Sequence, residues 1–128
     1  MAAMSDYLER KLLDHTLGTA AFTHPAQAYL ALHTADPTDA AGGAECSGGS
    51  YARQTIDFNA AHATNGTIDN SSAEEFTNMP ACTVSHIGIW DASTSGNLLF
   101  YGAVTASKAV ASGDTISLAA GALVITLA

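Results

Sequence analysis

The sequence predicts an antiparallel all-β domain, a β-sandwich of jelly-roll-like build, carrying one α-helix at its N-terminus. Three observations point there. Beyond Ala28 the apolar residues recur with period two in about eight short runs, the mark of strands whose side chains alternate between two faces. Clusters of Gly, Ser, Asn and Asp separate those runs, as turns require. Helical spacing is confined to Ser5–Leu17. At 128 residues the chain is long enough to bury one real core. The expected division is a helical arm over residues 1–18 and a single β-sandwich domain over 19–128.

The helix comes first. Ser5 suits the N-cap, Asp6 and Glu9 lie in the first turn where the helix dipole favours acids, and Gly18 is placed to cap the C-terminus. Leu8, Leu12, Leu13 and Leu17 form the apolar side, and Arg10 stands four residues from both Asp6 and Asp14, the spacing of solvent-side ion pairs. A first strand is expected over Ala28–Thr34. Ala35–Ser50 (ADPTDAAGGAECSGGS) follows neither period, and so long a stretch without structure of its own is expected to be functional or mobile. Tyr51–Phe58 reads as the second strand, with Arg53 expected to pair with Asp57. Ala60–Asn70 is a polar connection around an Asn65-Gly66 turn, and Ala73–Thr77 a short strand anchored by Phe76.

Val84–Val104 is the strongest β signal, two hydrophobic strands around Ala92–Gly96. Pairing Asp91 with Asn97 puts Ile87, Ile89, Leu99 and Tyr101 on one face. Val84, His86, Trp90, Leu98, Phe100 and Val104 then share the other, with Phe100 over Gly88. Both faces are apolar, so both are expected to be covered, one by the sandwich core and the other by the helix or a second subunit. Ser107–Ala111 follows as a separate segment. Thr115–Leu118 and Leu123–Leu127 read as a closing pair across Ala119–Gly121.

Composition narrows the function. Charged residues make up 12% of the chain and the formal net charge is −8. Four scattered cations, Arg10, Lys11, Arg53 and Lys108, do not make a phosphate-tracking patch, which argues against nucleic acid and against anionic membrane surfaces as partners. The N-terminal stretch lacks an apolar signal core, and synthesis in a cytoplasm is expected. Cys46 and Cys82 show neither metal nor redox spacing and read as two free thiols of a reducing compartment.

The residues that could carry chemistry are dispersed. His15, His24, His33, His62 and His86 make no HxH, HxxxH or HExxH pattern, and there is no nucleophile elbow, P-loop or GxGxxG. Asp36, Asp39 and Glu45 miss the alternate spacing of an EF-hand loop. Trp90 and Tyr101 fall on opposite faces in the expected register, which counts against a shared sugar-stacking platform. No catalytic, cofactor-binding or metal-ligating residue is expected, and no enzymatic activity.

The blocks SDYLERKLLDHTLG, YLALHTADPTDA, SGGSYARQ, VSHIGIWDA…GNLLFYGAVTASK and SGDTISLAAGALVITL stand in an order that resembles a family of small tailed-bacteriophage virion proteins. The family's members look like capsid decoration (cement) proteins or carry the looser label of tail-fibre proteins. The resemblance implies a non-enzymatic virion component. Set beside the small size and acidic surface, it leads to the expectation of a decoration protein on the outer capsid surface. Such a protein binds the assembled lattice of the major capsid protein and itself, as a symmetric oligomer such as a trimer. The alternative is a tail-fibre or tail-tip module binding a host receptor or glycan. The interface is expected on Tyr7, Leu8, Arg10 and Leu12 of the helix and Trp90, Leu98 and Phe100 of the hairpin.

Overall fold

The computed structural model describes residues 3–127. In chain order the elements are β1 (Ala3–Met4), α1 (Asp6–Thr16), β2 (Ala28–His33), β3 (Gln54–Ile56), β4 (Thr67–Asp69), β5 (Glu74–Phe76), β6 (Cys82–Trp90), β7 (Leu98–Val110), β8 (Ile116–Leu118) and β9 (Val124–Thr126). Every strand pairing is antiparallel. Five strands form one sheet in the order β1-β7-β6-β2-β3, and two ribbons, β4-β9 and β5-β8, complete the β structure without closing a barrel among the described residues. The all-β reading with one N-terminal helix is what the chain adopts.

The core lies between the large sheet and the ribbons. Leu30, Leu32, Ile56, Val84 and Ile89 point from the sheet onto Phe76, Ile125 and Leu123, with Ile68, Ile116 and Leu118 around them. Each such side chain contributes about 1.5–3 kcal/mol by leaving water. Alternation along β2 explains the sorting, since Leu30 and Leu32 enter this core while Ala31 and His33 face the other way.

α1 forms as its local sequence dictates. The Ser5 Oγ accepts the Leu8 N–H at 3.3 Å, and Leu17 ends the helix with its N–H on Leu13 O. The Ser5 hydroxyl also donates to the Leu98 carbonyl, and the Ser5 N–H to Leu99 O at 2.9 Å, so the cap is bolted to β7. The helix thereby runs on from β1, which pairs with Tyr101 and Phe100. Leu8 enters the main core with Met4, Tyr7 and Leu12 packed at its margin. The helix therefore serves the core side of the sheet and not the Trp90 side that was expected for it. The expected ion pairs of Arg10 with Asp6 and Asp14 are not among those formed by the described residues.

The hairpin departs from a plain register in two places. Asp91 and Asn97 close the tip as expected, with Trp90 opposite Leu98, but Ile89 then faces Phe100, leaving Leu99 as an extra residue. This bulge re-aims everything beyond it. Phe100 joins Ile89 on the core side, while Tyr101 moves opposite Gly88 onto the Trp90 side. Gly88 is thus covered by His33, Trp90 and Leu98, and not by Phe100. Further on, Ser85 alone stands against Val104 to Ser107, and β7 continues through residues 107–110 as one strand.

The C-terminal strands do not pair with each other. β8 pairs with β5 and β9 with β4, because the turn at 119–122 is taken up by Asn70. Asn70 is fully buried; its side chain donates to Ser72 O and Ala119 O and accepts the Leu123 N–H at 2.9 Å. β4 itself lies in the stretch read as a polar connection. The second strand shrinks to Gln54–Ile56, since Tyr51 and Arg53 are drawn instead toward the long loop.

Candidate functional site

The hairpin-tip end of the sheet's second face is covered by the chain's own 35–50 segment, with Ala41 packed against Ala31, Trp90 and Leu98. Its return leg runs beside β2: the Thr34 N–H donates to Ala44 O at 2.7 Å, the Cys46 N–H to Leu32 O at 2.8 Å, and His33 bridges Glu45. Pro37 of this segment is buried, and Asp39 accepts a hydrogen bond from the Tyr101 hydroxyl. That bond raises the Tyr101 pKa to about 12. Thr38, Ala41 and Ala44 hold positive φ of 61°, 58° and 64°, corners that no strand or helix pattern announces. The three acids Asp36, Asp39 and Glu45 are used up in turns and pairs within this fold, on Thr38 N–H, Tyr101 and Arg53 respectively.

Arg53 is the centre of that face. Its Nε donates to Glu45 Oε1 at 2.9 Å and its Nη2 to Glu45 Oε2 at 2.8 Å, a fork on one carboxylate. Nη1 donates to the carbonyls of Ala92 and Ser95 at 2.9 and 2.8 Å, gripping the hairpin tip. The guanidinium lies 4.0 Å from the Trp90 ring centroid. The expected partner Asp57 plays no part, since Gln27 donates to it instead. Tyr51 donates to Glu45 Oε1 at 2.8 Å while accepting the Leu32 N–H, and burial first of all pushes its hydroxyl well above the usual range. Burial alone raises the Glu45 carboxyl, but hydrogen bonds from Arg53 and Tyr51 and the Arg53 charge outweigh it, and the group sits below the ordinary carboxylate value.

Beneath Trp90 the His33 ring stacks at 6.2 Å between centroids and 15° between planes. Its Nδ1 lies 3.3 Å from Gly43 O, which selects the tautomer with the proton on Nδ1. Burial, chiefly, pulls the His33 pKa below its ordinary value, so the ring is held neutral. His33 Nε2 and Trp90 Nε1 are both buried without a partner among the described residues. Gly88 makes the stack possible: a Cβ there meets His33 Nε2 at 2.8 Å, Trp90 Nε1 at 2.9 Å and Leu98 Cδ1 at 3.0 Å. Four of the five Arg53 N–H donors are engaged, so no fork is left for a ligand carboxylate or phosphate. The cluster is a lock on the hairpin tip.

The expected interface residues divide accordingly. Leu8, Trp90 and Leu98 are buried within the chain, at 5%, 7% and 1% exposure. Tyr7, Leu12 and Phe100 are half-buried and Arg10 is exposed. Two clefts adjoin them. One, of about 430 Å³, is floored by core residues including Ile56, Ile89, Leu99, Phe100 and Ile125, with His24, Gln27, Asp57 and Asn59 at its polar margin. The other, about 400 Å³, lies between α1 and the hairpin tip among Asp6, Tyr7, Arg10, Asp39 and Asn97. Leu13 on α1 and Leu17 at its C-cap are 59% and 84% exposed and form an apolar ridge in solvent. Among the described residues no helix is long and apolar enough to cross a membrane.

The chain's own contacts thus hold the hairpin tip, while Leu13 and Leu17 stand in solvent. The family model described as podophage GP4 fiber I protein gp80 matches residues 3–126. The chain belongs to this family. It is therefore a phage virion structural protein of fibre type. The matched span takes in α1, the large sheet and both ribbons. No curated protein is matched.

Proposed function

We propose that the chain is a non-enzymatic building block of a phage fibre or tail tip, acting through contacts with copies of itself and with neighbouring virion subunits. The observation that carries this is the match to a fibre family over residues 3–126. The exposed Leu13 and Leu17, with Tyr7, Leu12 and Arg10 beside them, supply the contact surface on α1. Apolar ridges of this kind, bordered by charge, mark protein contacts. Phe100 and the apolar cleft offer a second patch of the same character. The locked Arg53–Glu45 pair supports a mechanical role, because its polar groups are spent on holding the fold.

A capsid-cement role on the lattice of the major capsid protein is the second reading, favoured by the net charge of −8, which suits an outward surface away from packaged DNA. Purified particles separate the two. Labelling with an antibody against this chain is expected to decorate the tail or its fibres, with few copies per particle. Label over the whole capsid, at a copy number comparable with the major capsid protein, overturns the fibre placement and supports cement.

A further inference from the structure

We propose that Cys46 and Cys82 are a cross-linking site, closing to an intramolecular disulfide when the protein meets a small-molecule disulfide such as oxidised glutathione. Both thiols are free, and their sulfurs lie 3.1 Å apart. A bonded pair stands at about 2.05 Å, so closure asks for roughly 1 Å of approach. Both sides are already held in place. Cys46 is fixed by its N–H bond to Leu32 O and by the neighbouring His33–Glu45 bridge, and Cys82 opens β6 opposite Val110.

Burial orders the chemistry. Cys46 is buried in the main core while Cys82 is half-exposed beside it. The Cys82 thiolate attacks the glutathione disulfide, its S–S bond breaks, and one glutathione leaves as a thiol. Cys46 then surrenders its proton and attacks the Cys82 sulfur, displacing the second glutathione. Two cysteine thiols lose two electrons and two protons, and one glutathione disulfide becomes two thiols. Burial first of all pushes the Cys46 thiol up to about 12 and screens it from solution, which leaves the half-exposed Cys82 as the sulfur that meets the oxidant first.

The bond has a structural purpose. Cys46 follows Glu45 directly, so a link to β6 fixes the carboxylate that holds Arg53 on Trp90. Virion proteins are made in reducing cytoplasm and released into oxidising surroundings, which times the closure to after assembly.

The purified, reduced full chain incubated with oxidised glutathione is expected to lose both free thiols and the mass of two hydrogen atoms. No retained glutathione and no covalent dimer is expected, and peptide mapping finds Cys46 joined to Cys82. At a fixed concentration of oxidised glutathione, folded protein keeps the bond against at least about fivefold more reduced glutathione than the urea-unfolded chain, because the roughly thirtyfold change in equilibrium constant of a typical native disulfide enters as the square of the thiol concentration. Cys46→Ser stops at a glutathione adduct on Cys82. Thiols that stay titratable in the folded chain while the unfolded chain oxidises overturn the proposal, as does a persistent adduct or a dimer in the wild type. The chemistry is independent of where in the particle the chain sits, so its failure leaves the fibre reading intact.

Discussion

Replacing Arg53 with Ala tests the central lock of the second sheet face. The change removes a forked ion pair, two hydrogen bonds to the hairpin tip and the guanidinium over Trp90. Abandoning one member of a buried pair costs about 3–5 kcal/mol. Here the Glu45 side chain keeps 24% of its exposure against 7% for Arg53, so water recovers part of the carboxylate and the cost falls to about 2 kcal/mol. The lost contact with the Trp90 face adds about 0.5–1 kcal/mol, and the two carbonyls, one at the exposed Ser95, add about 0.5 kcal/mol. The sum is about 3 kcal/mol, which for a domain of this size lowers the thermal midpoint by about 10 °C. Urea denaturation of Arg53→Ala, Arg53→Met, Glu45→Gln and the Met/Gln double variant supplies the cycle. The two single changes are expected to couple by about 1–2 kcal/mol. A loss under about 1 kcal/mol in Arg53→Ala with no coupling refutes the lock, because it is what an ordinary exposed ion pair gives.

Three further outcomes follow from the same geometry. Glu45 and His33 both have folded pKa values below their ordinary ones, so acid protonates the unfolded chain first; urea stability is expected to hold above about pH 6.5, fall as His33's unfolded value is passed, and fall again below about pH 4.5, with Glu45→Gln flattening the lower limb. Gly88→Ala drives a methyl against His33, Trp90 and Leu98 and is expected to cost about 1–3 kcal/mol with a shift in Trp90 fluorescence, whereas a silent substitution shows that the stack has slack. Leu13→Glu with Leu17→Glu is expected to leave stability within about 0.5 kcal/mol while weakening self-association in sedimentation, and unchanged association removes α1 from the contact surface.

What the sequence made legible is what local chemistry decides. Ser5, Asp6 and Glu9 define a helix start that needs no partner, and β2 and the hairpin tip follow from period two and the Asp91–Asn97 pair. Long-range events were not legible. The bulge at Leu99 sits in a run of apolar residues with no glycine to flag it, yet it exchanges the faces of Phe100 and Tyr101 and so changes what each covers. Gly121 looks like a hairpin turn. Its N–H is instead taken by Asn70 O, and the strands on either side join different ribbons. The lock was hidden because Glu45 lies in a Gly-rich segment eight residues before Arg53, and only tertiary folding brings them to one carboxylate–guanidinium fork. The single signal in the sequence was a cation placed mid-strand in a chain with four.

The five-stranded sheet is bordered by very short strands, two residues of β1 at one margin and three of β3 at the other. Beyond β1 the outer margin of β7 crosses the broad irregularity opposite Ser85 and carries Lys108, exposed. A long flat margin invites strand addition from the next molecule, and a distorted, charged one resists it. The margins of this sheet are therefore poor templates for backbone pairing with a second copy of the chain.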